Sequence, residues 1–97
     1  MQEEYLVPIE GFDNYSISNF GRVVNTVLDR DLTPRPGKNG LLKVRLYLFG
    51  AYADFYIHEL VAAAFFLNWE YGIEVEHISD DLTDNSVGNL RLKKVVD

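Results

Sequence analysis

The chain has 97 residues, 47% of them apolar and 13% aromatic, with no cysteine and a formal net charge of −6. That is one domain with ample material for a core; the composition excludes a disordered tail, a disulfide-held scaffold and a cysteine zinc site. No apolar run approaches the roughly 18 residues of a membrane span, and Met1-Gln2-Glu3-Glu4 lacks the basic start of a signal peptide, so a cytoplasmic setting is expected.

Taken along the chain, Tyr15 to Val24 has period-two character interrupted at Asn19 to Gly21, the pattern of a short hairpin. Asp31 to Gly40 holds Pro34, Pro36, Gly37 and Gly40 and reads as a loop. Leu42 to Leu48 alternates cleanly and predicts a strand; Phe49-Gly50-Ala51 turns it into a second strand, Tyr52 to Ile57. His58 to Leu67 is rich in alanine and leucine and predicts a helix. Its apolar residues run nearly all round, so it should be buried. Asn68 to Gly72 closes the helix, Ile73 to Ile78 reads as a strand, Ser79 to Gly88 as a polar loop, and Leu90 to Val96 as a final strand. This order predicts an α+β domain with an N-terminal antiparallel sheet from residues near 15–25 and 42–57, one buried helix near 58–67, and a C-terminal hairpin from 73–78 and 90–95.

The placement of charge carries more than its sum. Residues 46–90 contain no Lys or Arg, but they hold Asp54, Glu59, Glu70, Glu74, Glu76, Asp80, Asp81 and Asp84. Duplex DNA is held chiefly by Lys and Arg on phosphates, so this balance argues against duplex DNA as the partner. Trp69 and Tyr71, beside Phe66, are candidates for an exposed aromatic patch, a common anchor in interfaces. Oligomeric state is left open by the sequence.

Two stretches in this order resemble one family. Ile9 to Val23 (Ile-Glu-Gly-Phe-Asp-Asn-Tyr-Ser-Ile-Ser-Asn-Phe-Gly-Arg-Val) is similar to the N-terminal NUMOD4-type module of phage HNH homing endonucleases. Ile57 to Phe65, then Val75-Glu76-His77-Ile78, then Asn85 and Asn89-Leu90-Arg91, is similar to the HNH module that follows. The resemblance divides the single domain into a NUMOD4-like part, 1–50, and an HNH-like part, 51–97. It puts His77 on the general base, Glu76 on a metal-binding carboxylate, Asn89 on the loop-bracing asparagine, and His58 on the histidine that opens the preceding helix. His58, Asn85 and Asn89 are given structural roles. Three features depart from the family. Glu59 stands where it usually has arginine, and Ser79-Asp80-Asp81 replaces its Asp-Gly-Asn turn. A metal ligand on a helix after the hairpin would fall past Asp97, so a hairpin without the final helix is expected.

Two functions follow. In one, the chain is a metal-dependent endonuclease cutting DNA phosphodiesters, with His77 as base and Mg²⁺ at Glu76; without the helix-borne ligand, Glu76, His77 and Asp97 are expected to bind Mg²⁺ weakly or not at all. In the other, which the acidic balance favours, it is a non-catalytic protein with no cofactor. It would use Glu70, Glu74, Asp80, Asp81, Trp69 and Tyr71 to bind the basic surface of a host or defence nucleic-acid enzyme and inhibit it.

Overall fold

A computed structural model describes residues 3–93; the end of the expected final strand, residues 94–96, and Asp97 lie outside the described residues. Three antiparallel sheets and one helix make up this α+β fold. The first sheet has four strands in the order β1 (Leu6–Ile9), β2 (Phe12–Ser18), β3 (Val23–Asn25) and β4 (Arg30–Asp31). The second has β5 (Arg35–Pro36), β6 (Leu42–Leu48) and β7 (Ala51–Tyr56). Helix α1 (Ile57–Phe65) follows, then β8 (Val75–His77) and β9 (Leu90–Leu92) pair as a hairpin.

The N-terminal region thus holds two sheets where one was expected. The stretch read as a loop supplies the reason: its two-residue strands β4 and β5 pair with different partners, β3 and β6, and so close two separate sheets. Pro36 is tolerated because it sits on an edge strand, where a missing amide costs little. The Tyr47 amide donates to the Tyr15 hydroxyl across the two sheets (3.3 Å), and Phe12 meets Phe55 edge to face at 5.3 Å.

Alternation on β6 sends Val44 and Leu46 inward, 1% and 0% exposed, and sends Lys43, Arg45 and Tyr47 outward. Ile57, Leu60, Val61 and Ala62 of α1 join those valine and leucine side chains with Ile9, Ile17, Val23, Val75 and Leu90 in one core. Burying a side chain such as Leu46 contributes about 1.5–3 kcal/mol. At nine residues, α1 is too short to hold itself, so this packing holds it. Glu59 and Ala63, one turn apart, are its exposed stripe. No described helix is long and apolar enough to cross a membrane.

Candidate active site

The hairpin pairs Val75 with Leu92, Glu76 with Arg91, and His77 with Leu90. Val75 anchors it in the core, which leaves His77 half-buried at the end of β8. The loop that follows folds back over the strand. Its key residue is Asn85, 4% exposed, whose side-chain Oδ1 lies 2.7 Å from His77 Nε2. An amide oxygen only accepts, so Nε2 carries the hydrogen and the lone pair of the neutral ring sits on Nδ1. Asn89 ties the same loop: its Oδ1 accepts from the Ser79 amide (3.0 Å) and its Nδ2 donates to the Asp84 carbonyl (2.9 Å). Asp81 accepts from the Thr83 amide and hydroxyl, and these bonds hold its carboxyl below the usual carboxylate range.

His77 and Glu76 line an open cleft of about 550 Å³, together with His58, Glu59, Glu74 and Asp80. His58 is 7% exposed, and its ring packs 5.2 Å from that of His77 and 5.7 Å from that of Tyr56. Its Nδ1 is buried without a hydrogen-bond partner. Burial, and secondarily the neighbouring His77, lowers its pKa from 6.5 to about 4. The consequence for stability has a definite sign. The unfolded chain takes up a proton on His58 below pH 6.5 and the folded chain resists until about 4, so stability is full above 6.5 and falls as pH drops through that window. Discounted for solvent screening at this site, the loss should be about 1–2 kcal/mol. Thermal unfolding of wild type and His58→Gln between those limits checks it: the difference between them should shrink as pH falls.

The acidic stretch does not form one unpaired face. Glu76 pairs with Arg91 at 2.8 Å, Glu74 with Lys93 at 3.3 Å, and Asp54 with Arg45 at 2.8 Å and Arg35 at 3.5 Å. Asp84 accepts from the Ser86 hydroxyl, and Asp81 is engaged with Thr83. Glu70 and Asp80 are exposed. Tyr71 is 97% exposed, Trp69 is half-buried against the core, and both line one groove. The Trp69 Nε1 is buried without a partner beside an apolar groove of about 810 Å³.

Sequence reading missed a second face, rich in cations and aromatic rings. Arg35, Lys43, Arg45, Tyr47, Tyr52 and Asp54 share the outer surface of the β5–β7 sheet through the register pairs Arg35–Lys43, Arg45–Asp54 and Tyr47–Tyr52. The Arg45 guanidinium lies 3.8 Å from the Tyr52 ring centroid. The alternating Lys43-x-Arg45-x-Tyr47 was the available signal.

The donor set around His77 suits an open magnesium site. Mg²⁺ takes one or two carboxylates and completes its shell with water and phosphate oxygens. Glu76 is the carboxylate beside His77 in the cleft, and Arg91 competes for it. Among the described residues no three His, Cys, Asp or Glu side chains converge into a closed cage.

Comparison with known proteins gives the same picture. Residues 4–47 match the NUMOD4 motif. Over 89 residues the chain is 39% identical to an HNH endonuclease of Acanthamoeba polyphaga mimivirus, covering 87% of this chain and 22% of that protein. It is 31% identical over 84 residues to the DNA endonuclease I-HmuI of Bacillus phage SP01, covering 86% of this chain and 48% of that one. A solved structure describing DNA binding and cleavage by the HNH homing endonuclease I-HmuI superposes with a TM-score of 0.83 at 29% identity, over 95% of this chain and 52% of that chain. The chain therefore spans about half the length of I-HmuI and less of the mimivirus protein, and where it stops says nothing about ligands that a longer chain would bring.

These relatives overturn two expectations: that the chain is an acidic inhibitor of a host or defence enzyme, and that duplex DNA is excluded as its partner. The relatives are named endonucleases, and the superposed structure is one of DNA binding and cleavage. The physical error lay in counting acids along the chain, since several are neutralised by cations distant in sequence. By sequence and by fold, the chain is a relative of the phage and viral HNH homing endonucleases and carries their NUMOD4 motif across residues 4–47.

Proposed function

We propose that the chain is the DNA-binding and strand-cutting part of an HNH endonuclease, acting inside the cell where that DNA lies, with residues 1–50 and 51–97 working as one domain. The observation that carries this reading is the pairing of His77 Nε2 with Asn85 Oδ1 at 2.7 Å, which leaves Nδ1 as an oriented base in an open cleft beside Glu76. Such a base takes the proton of a water molecule as that water attacks a phosphodiester. Glu76 is the residue to hold Mg²⁺, which when bound supplies charge stabilisation at the phosphate. Asn89 keeps the loop closed, and buried His58 walls the far side of the His77 ring.

The basic outer face of β5–β7 is the surface we assign to the duplex. Arg35, Lys43 and Arg45 neutralise phosphates, and a two-stranded ribbon fits the major groove. The tip of this hairpin adds an apolar probe. Phe49 is 98% exposed and holds φ +51, a left-handed conformation that costs a non-glycine residue about 1–2 kcal/mol. Strain of this kind in an exposed aromatic points to a contact outside the chain. Phe49→Asn, which tolerates that conformation, should raise stability by about 0.5–1 kcal/mol and weaken DNA binding. Unchanged affinity in a fluorescence anisotropy titration would remove Phe49 from the interface.

The test of the reading as a whole is anisotropy of a labelled duplex at rising salt. Binding should weaken steeply as salt rises, because counterions are released from the phosphates. Absence of binding at low salt would refute it.

A further inference from the structure

The turn between β2 and β3 does more than join two strands. Ser18 and Asn19 are 0% and 5% exposed, unusual burial for polar turn residues. Ser18 Oγ accepts from the amides of Phe20 (3.1 Å) and Arg22 (3.0 Å). Asn19 Oδ1 accepts from the Tyr5 amide (2.7 Å), and its Nδ2 donates to the Glu3 carbonyl (2.9 Å). Ser18 thus fixes the turn itself, and Asn19 ties the turn to the N-terminal segment.

What the turn touches gives it a purpose. Gly21 holds φ +88, and a Cβ there would lie 3.0 Å from Asn85 Cβ and 3.2 Å from both the carbonyl carbon and the oxygen of Asn85. Two residues on, the Val87 amide donates to the Asn19 carbonyl (2.8 Å). The turn therefore runs so close to Asn85 that no side chain fits between them, and it holds the Asn85 loop through the Val87 amide. Asn85 is the residue that fixes the His77 ring. Close packing transmits small displacements of this kind because neither side has room to relax.

We propose that the Ser18–Gly21 turn is a positioning element for His77, acting through Asn85, so that the N-terminal sheet sets the tautomer and orientation of the base in the C-terminal hairpin. This rests on the reading of His77 as the base, but its first test does not depend on activity. Imidazole ¹⁵N shifts of the 97-residue chain report which nitrogen carries the hydrogen, at about pH 8, where an ordinary histidine is neutral. Wild type should show His77 as a single tautomer with hydrogen on Nε2. Asn85→Ala, Gly21→Ala and the milder Asn19→Ala should all move it towards the mixture of a free imidazole. If Gly21→Ala does not fold, Asn19→Ala decides. A His77 tautomer that is unchanged in Asn85→Ala, or in both turn variants, overturns the proposal.

The second test is a double-mutant cycle on strand cutting with Mg²⁺. Gly21→Ala alone should lower the turnover rate about 10- to 100-fold with little change in DNA affinity. In the Asn85→Ala background it should have no further effect on turnover, while its cost in thermal stability remains. Additive losses in turnover would mean that the turn matters only for folding, and would overturn the inference. If wild type cuts no DNA at all, the functional reading fails and the tautomer experiment still decides this one.

Discussion

Replacing His77 with Ala should lower DNA strand cutting by about 1,000-fold and leave duplex affinity within about twofold, since a positioned general base contributes roughly 10²- to 10⁴-fold. The two halves of this expectation come from different parts of the molecule. His77 ends β8 in the cleft, while the cations assigned to DNA lie on the outer face of β5–β7. Losing the ring also leaves the buried Asn85 oxygen without its 2.7 Å partner, a cost of about 1–3 kcal/mol. A modest fall in unfolding temperature should therefore accompany the loss of activity. Single-turnover rates and anisotropy on the same preparations separate cutting from binding. A proportional loss of both would assign His77 to binding.

Replacing Arg35, Lys43 and Arg45 together with Ala should have the converse effect. Each cation lost from a phosphate contact reduces the salt slope by about one, so the slope should drop by about two to three and affinity at low salt should fall roughly 100-fold. Asp54, now without Arg45 at 2.8 Å and Arg35 at 3.5 Å, adds an unpaired negative charge to the face and deepens the loss. The fold should survive, because exposed ion pairs contribute only about 0–1 kcal/mol each. Arg45 also covers the Tyr52 ring, so a slightly lower melting temperature is part of the expected result. Circular dichroism checks the fold and anisotropy at three salt concentrations gives the slope. An unchanged slope would move the DNA interface elsewhere.

Much of the fold was legible because its signals are local. The clean alternation of Leu42 to Leu48, the alanine-rich run after His58 and the Val75–His77 strand each declare their element within a few residues. The split into two sheets was not legible. It depends on which partners the two-residue strands at Arg30–Asp31 and Arg35–Pro36 choose, and that is a tertiary matter. The same holds for charge. Glu76 and Arg91 are fifteen positions apart yet face each other across a hairpin, so a linear count of acids overstated the negative surface. Trp69 looked like a free anchor because nothing in sequence reveals that it packs against the core. His77, Glu76 and Asn89 could be named from motif order. The bond between Asn85 and His77 and the close approach of Gly21 to Asn85 could not, because they bring together residues eight and sixty-four positions apart whose meeting depends on the folded loop.

Strand breaks in a supercoiled plasmid, counted with Mg²⁺ and with the metal chelated, test the central claim most directly. Wild type should convert supercoiled DNA to broken forms only with Mg²⁺, and His77→Ala should leave it supercoiled over the same time. Equal breakage by wild type and His77→Ala, or none by wild type under conditions where it binds the plasmid, would contradict the assignment of this hairpin as a DNA-cutting site.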